Sequence, residues 1–229
     1  MNKESYLIYG TYRLPRKYKT FREIILKCQS MGIKWIDTAN LYNRGKSESW
    51  IGRVKAELKD SFQMKIATKA GKFLDRDNNL VISLDKEVIL SHINTSLNRL
   101  KVDKLDALFL HNYDNKSSLK EVSNLIKEII ATKKVYRVGL SNFPMAFVFK
   151  LIKHKLINLV EIEHNKVNNN REYILACQKK TIECWVYRPF LRGELIRAGR
   201  NPQEIITSIH KSFPSTKIVF GATKLKQIS

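Results

Sequence analysis

MKIATKAGKFLDRDNNLVISLDKEVILSHINTSLNRLKVDKLDALFLH, residues 64–111, reads as one strand–helix–strand unit. MKIAT at 64–68 and LDALFL at 105–110 are short, apolar and of strand length. Between them, SLDKEVILSHINTSLNRL places Val88, Ile89, Ile93, Leu97 and Leu100 on one stripe. That is the spacing of a helix with one buried face. Two strands joined through a helix lie parallel in one sheet, because a tight turn joins only antiparallel neighbours.

The same alternation extends in both directions. Further strand-length runs are YLIYG at 6–10, IKWID at 33–37, VYRVGL at 135–140, LVEIE at 159–163, IECWVY at 182–187 and KIVFG at 217–221. FREIILKCQSMG sets Phe21, Ile24, Ile25 and Cys28 on one face and stops at Gly32. SESWIGRVKAEL opens a second helix with Ser47 as the expected N-cap. Helices are also expected over 118–132, 144–154, 171–180 and 202–212. Eight strands alternating with seven helices predict an α/β fold, a parallel (β/α)8 TIM barrel forming a single domain over residues 1–229. The competing doubly wound sheet would carry a GxGxxG turn, and none is present. Only Ala222 to Ser229 follow the eighth strand, so a minimal barrel with a stunted or missing last helix is expected.

The chain has 229 residues with 42 Lys+Arg against 21 Asp+Glu, a formal charge of +21. Two readings compete for that excess: a nucleic-acid partner, or a generally lysine-rich composition. The charges are spread over every segment, and no zinc spacing, helix-turn-helix pattern or aromatic-basic stripe accompanies them. The second reading is therefore preferred, with no nucleic-acid partner and some bias towards an anionic ligand. No apolar run reaches the roughly 18 residues of a membrane span. The start lacks a secretory pattern, and Cys28, Cys177 and Cys184 form neither a disulfide framework nor a CxxC pair. A reduced, cytoplasmic protein without a metal site or membrane partner is expected.

In such a barrel, reactive groups sit at the C-terminal strand ends and in the loops beyond them. The second strand ends in Asp37, with Tyr42 five residues on; the third ends in Lys69 and the fourth in His111. Taken singly, each has a mundane role as a turn cap, packing residue, solvated cation or core histidine. Together they form a chemical unit. A free phenol has a pKa of about 10, too high to act readily as an acid near neutrality. A neighbouring ammonium favours the phenolate, and a carboxylate keeps that ammonium charged and in place. An imidazole beside the phenol can orient a carbonyl oxygen.

At these residues the sequence resembles the aldo-keto reductase family. GIKWIDTANLYNRGKSESWIG (32–52), SLNRLKVDKLDALFLHN (96–112), KKVYRVGLSNF (133–143), VYRPFLRGEL (186–195) and VFGATKLKQI (219–228) are similar to five family blocks, in the family's order. The resemblance implies an NADPH-dependent carbonyl reductase in which Tyr42 is the general acid. It implies that Lys69 and Asp37 lower the pKa of Tyr42 and that His111 orients the substrate. It also implies that the cofactor is NADP(H), with NAD(H) as an alternative. By the same resemblance Ser141 and Asn142 hold the nicotinamide carboxamide, and Tyr187 stacks on the ring. Leu191 and Gly193 lie along the pyrophosphate, and Gly221, Ala222, Thr223 and Lys224 lie along the adenosine phosphate.

Four departures from the family pattern stand out. Glu161 occupies the position of a glutamine beside the carboxamide; a carboxylate only accepts hydrogen bonds, and its charge would favour the oxidised ring. Arg188 and Phe190 replace smaller residues after Tyr187, so Arg188 is expected to contact a phosphate or obstruct it. Gln227 stands where an arginine would meet the 2′-phosphate, leaving Lys224 as a substitute. The family's N-terminal hairpin and long C-terminal loop are expected to be missing. Substrate contacts would then come from Tyr12, Leu14, Phe73, Asn112 and Tyr113, and the uncovered ends would favour a homo-oligomer. The leading expectation is reduction of a small-molecule aldehyde or ketone, sugar-like or anionic. The alternative is a catalytically weak or inactive binding or regulatory protein on the same fold.

Overall fold

The structure, a computed structural model, describes residues 6–228. Leu7–Gly10 forms β1, Tyr18–Ser30 α1, Trp35–Asp37 β2 and Lys46–Leu58 α2. Lys65–Ala70 (β3) leads into a small hairpin, Lys72–Leu74 (β4) and Leu80–Ile82 (β5), before Lys86–Leu100 (α3). Then follow Ala107–Leu110 (β6), Leu119–Ala131 (α4), Val138–Ser141 (β7), Met145–Lys153 (α5), Leu159–Glu163 (β8) and Arg171–Lys179 (α6). Glu183–Tyr187 (β9), Glu194–Arg197 (α7), Pro202–Ser212 (α8) and Lys217–Gly221 (β10) complete the order.

Eight strands close into a barrel in the order β1-β10-β9-β8-β7-β6-β3-β2, and every pairing in it is parallel. All eight expected strands are present. Successive side chains of a strand point to opposite faces, so alternate residues line the interior. The middle of the barrel is filled by Ile8, Trp35, Ala67, Ala107, Phe109, Leu159, Trp185 and Val219. Gly139 contributes no side chain there, because a Cβ would lie 2.8 Å from the Phe109 ring and 2.9 Å from the Leu159 carbonyl. One alternation below, Glu183 accepts from the Trp185 indole at 2.7 Å and pairs with Arg137 at 2.8 Å and Lys217 at 3.3 Å. These groups stopper the N-terminal end. One alternation above the apolar layer come Asp37, Lys69, His111, Ser141, Glu161 and Tyr187. The fold thus sets a polar ring on an apolar floor.

The outer helices bury the faces their spacing predicts, with two corrections. On α3, Ile89, Ile93, Leu97 and Leu100 are buried together with Ser96, whereas Val88 is only half-buried at the edge of the stripe. Ser47 is not the cap of α2: Gly45, in the left-handed region at φ 84°, precedes the helix. Ser47 is buried inside the first turn, accepting from Asn43 at 2.8 Å and donating to the Thr11 carbonyl at 3.0 Å. A single turn at Leu225–Gln227 follows β10, with no further helix among the described residues. No helix there is long and apolar enough to cross a membrane.

Candidate active site

Tyr42 opens a tight turn after β2 in which Asn43, Arg44 and Gly45 all have positive φ. Buried contacts from distant elements hold this unusual backbone. Glu48 is fully buried, accepts from Thr68 at 2.7 Å and pairs with Arg99 of α3 at 3.3 Å. Arg99 also donates to the Asn40 carbonyl at 3.1 Å, and a Cβ on Gly45 would collide with its guanidinium. The Gly-x-Ser-Glu run that follows Tyr42 therefore works as a mount for the turn.

Lys69 lies at the centre of the polar ring. Its ammonium donates to Asp37 and, at 3.1 Å, to the Thr38 carbonyl. It lies 3.3 Å from Glu161 Oε2 and 5.2 Å from the centre of the Tyr42 ring. Asp37, Lys69 and Glu161 are all buried. The His111 ring stands edge-on to Tyr42 with centroids 5.9 Å apart. The four groups anticipated from the strand ends thus meet around one point.

The electrostatics differ from the simple expectation that Lys69 lowers the phenol. Burial dominates at Tyr42 and pushes its pKa up; Lys69 pulls it back down, while Asp37 and Glu161 oppose that pull. Two neighbouring carboxyls keep Lys69 charged despite burial, with its pKa raised. Burial also raises Asp37 and pushes Glu161 up to about 8. Asp37 takes the aligned hydrogen bond from Lys69, whereas Glu161 Oε2 has no hydrogen-bond partner among the described residues. Burial and the negative charge of Asp37 both favour the protonated form of Glu161, in which a carboxyl can donate as well as accept. His111 is held well below its ordinary value by burial and then by Lys69 and Lys72, so its imidazole is neutral.

The residues matched to a dinucleotide divide into two groups. Ser141, Asn142, Glu161 and Tyr187 adjoin the polar ring, but Asn142 is already engaged. It donates to the His111 carbonyl at 3.0 Å and Ser141 Oγ at 3.1 Å, and accepts from the Tyr187 hydroxyl at 2.6 Å. Beyond them, Arg188 sits at positive φ and pairs with Glu163 at 2.7 Å. Leu191 and Gly193 form a turn that also has positive φ. Gly221 ends β10, and the Tyr9 hydroxyl holds the Ala222 carbonyl at 3.0 Å. The backbone N–H groups of Thr223 and Lys224 both donate to Gln227 Oε1, at 2.8 and 2.9 Å. A side-chain carbonyl thus satisfies two converging donors in the loop that the sequence resemblance matched to the adenosine phosphate. A cavity of about 600 Å3, lined in part by Asn142, Tyr187 and Glu163, opens beside this arc.

The expected substrate contacts are only partly brought in. Tyr12 is exposed, with its ring edge-on to Tyr42 at 5.1 Å. Asn112 follows His111 and accepts from Lys72 at 3.2 Å. Phe73 packs instead against His92 of α3 at 5.4 Å, and Tyr113 packs on Phe143 and Phe147 while donating to the Ser117 carbonyl. Leu14 joins the core outside the strands. Sequence reading passed over Lys72 and Glu163. The first lies on a hairpin read only as loop; the second has an inward parity along β8 that would have identified it.

The model of the Aldo/keto reductase family matches residues 6–222. Norsolorinic acid reductase B of Aspergillus parasiticus is 32% identical over 125 residues, covering 52% of this chain and 32% of that protein. The NADP(+)-designated aldo-keto reductase yakc of Schizosaccharomyces pombe is 20% identical over 196 residues, covering 83% of this chain and 58% of that protein. The chain therefore spans about a third to under three-fifths of the length of these curated relatives. The structure of glycerol dehydrogenase AKR11B4 from Gluconobacter oxydans shares the fold with a TM-score of 0.84 at 19% identity, covering 100% of this chain and 86% of that one.

Proposed function

Since the chain belongs to the aldo-keto reductase family, we propose that it reduces the carbonyl of a small aldehyde or ketone to an alcohol, with Tyr42 as the general acid. The observation that carries this reading is Lys69, buried and charged between Asp37 and Tyr42 with His111 alongside. In this scheme the Tyr42 hydroxyl gives its proton to the carbonyl oxygen. The Lys69 ammonium stabilises the phenolate left behind, and Asp37 fixes that ammonium. Neutral His111 orients the carbonyl oxygen towards Tyr42.

NADP(H), which supplies the hydride when bound, fits the donor set that the chain offers. Glu161 Oε2, buried and 3.3 Å from the Lys69 ammonium, accepts no hydrogen bond among the described residues and would be open to one from the carboxamide. Asn142 would be free to bond the carboxamide if the Tyr187 hydroxyl turned away from it. The Thr223 and Lys224 amides, now capped by Gln227, suit a phosphate oxygen. Gln227 in place of a cation weakens the case for the extra phosphate, so NAD(H) stands as the alternative dinucleotide.

The test is oxidation of NADPH across a panel of small aldehydes, read beside quenching of the intrinsic tryptophan fluorescence on NADPH titration. Turnover with at least one aldehyde is expected. The Asn142–Tyr187 bond and the Arg188–Glu163 pair, which close the arc by themselves, favour a second reading as a non-catalytic binding protein. Quenching without turnover across the panel would support that second reading and contradict the first.

A further inference from the structure

Lys72 is the first residue of β4, three positions beyond Lys69. Its backbone is fixed by the turn at Gly71, which has φ 91° and whose Cβ would meet the Ser83 carbonyl at 2.8 Å. The Gly71 N–H donates to His92 Nδ1 at 3.2 Å, and Ser83 N–H returns to the Gly71 carbonyl at 2.9 Å. The hairpin is thereby fastened over the end of β3, and the Lys72 side chain is delivered to the barrel mouth. There the ammonium donates to Asn112 Oδ1 at 3.2 Å, one residue past His111.

This cation has an unusual setting for a lysine in a mouth that also holds acids. It is half-buried, and no carboxylate pairs with it among the described residues. Burial and the guanidinium of Arg188 both disfavour its charge, and its own charge depresses His111. Arg188 has its carboxylate, Glu163 at 2.7 Å; Lys72 has only a neutral amide. A partly desolvated ammonium facing a second cation is unfavourable until an anion joins it. The Asn112 carbonyl holds the ammonium while its NH2 group remains available as a second donor to the same anion.

Arg188, the cation felt by Lys72, itself follows β9, but the position of Lys72 and its partner Asn112 around the ring favours a substrate anion. The turns assigned to cofactor phosphates follow β9 and β10, whereas Lys72 and Asn112 follow β3 and β6. Those two pairs of strands are separated by β8 and β7 on one side and by β1 and β2 on the other. In the reductase reading the reacting carbonyl would sit between Tyr42 and His111, and Asn112, the partner of Lys72, is the residue directly after His111. We propose that Lys72 and Asn112 form an anion-binding arm of the substrate site, and that the substrate is a carbonyl compound bearing a carboxylate. This inference rests on the reductase reading and gives its substrate a chemical class.

The experiment compares para-carboxybenzaldehyde with its methyl ester, which keeps the shape and the reactive aldehyde but removes the charge. The wild-type ratio of kcat/KM, acid over ester, should exceed unity and fall as salt is raised. In Lys72→Met that ratio should drop by about tenfold or more, the scale of one lost hydrogen bond to a charged group. Lys72→Arg should keep most of it. Binding of terephthalate, a non-reacting dianion, is measured by calorimetry on wild type and Lys72→Met without cofactor, and should weaken to a similar degree in the variant. An unchanged ratio in Lys72→Met, or terephthalate binding that ignores the substitution, would overturn the proposal. So would a variant whose only defect is weaker NADPH binding. A wild type that reduces neither aldehyde but binds terephthalate through Lys72 overturns the reductase reading and leaves the anion site standing.

Discussion

Glu161 and Asp37 share one ammonium, and their unequal hold on it has consequences that neither residue alone would suggest. Asp37 accepts the hydrogen bond from Lys69, while Glu161 faces it at 3.3 Å without one. Burial pushes Glu161 up to about 8 from an ordinary value of 4.5. The folded protein therefore favours a proton on Glu161 that the unfolded chain releases, and the contribution of Glu161 to stability falls as pH rises across that interval. Glu161→Gln removes the titrating group and retains the shape. The variant's melting temperature should gain on that of wild type between about pH 5 and pH 8, with little difference below that window. A gap that stays constant from pH 5 to 8 would show that Glu161 is ionised throughout. Asp37, Lys69 and His111 were legible because parity and strand position place them, and Tyr42, on the turn after β2, because of its spacing from Asp37 and the motif around it. The Tyr187–Asn142 bond and the Arg188–Glu163 pair were not, since they depend on which way side chains from separate strands turn.

At the scale of elements, the contact between α2 and α3 sets the Tyr42 turn. Gly52 lies in α2 against the backbone of α3, and a Cβ there would stand 2.0 Å from the Arg99 carbonyl oxygen. Arg99 is the residue that holds Asn40 and Glu48. Gly52→Ala should therefore push the helices apart and destabilise the fold by about 1–3 kcal/mol or more, the usual range for overpacking. A denaturant titration reads this directly; a midpoint equal to that of wild type would mean that the helices separate without cost. The helices were legible from their apolar stripes, and α4 begins at the Ser118 capping box, where the spacing put it. The β4–β5 hairpin was missed because its strands have three residues each, too short for periodicity. Its turn carried a signal nonetheless. Asp75 accepts from the backbone of Asp77 and Asn79, and Asn78 takes positive φ, as an Asp/Asn cluster between two short strands allows.

For the whole molecule, closure of the ring turns scattered sequence positions into a site. Trp35, Ala67, Phe109 and Leu159 form the apolar floor, and the residues two steps further along the same strands are Asp37, Lys69, His111 and Glu161. Alternation of apolar runs and striped helices made the barrel legible, because that pattern reports which faces are buried. The stopper of Arg137, Glu183 and Lys217 was hidden, since inward-pointing charges at strand starts look like ordinary surface residues until the ring closes. The central claim is that this convergence makes the Tyr42 hydroxyl a proton donor to a carbonyl. Tyr42→Phe removes one oxygen and leaves the ring packed against His111 and Tyr12. On an aldehyde that the wild type reduces, the steady-state rate of NADPH oxidation at neutral pH should fall by about 100-fold or more in the variant, the scale of a lost general acid. Equal rates for the two proteins would contradict the account.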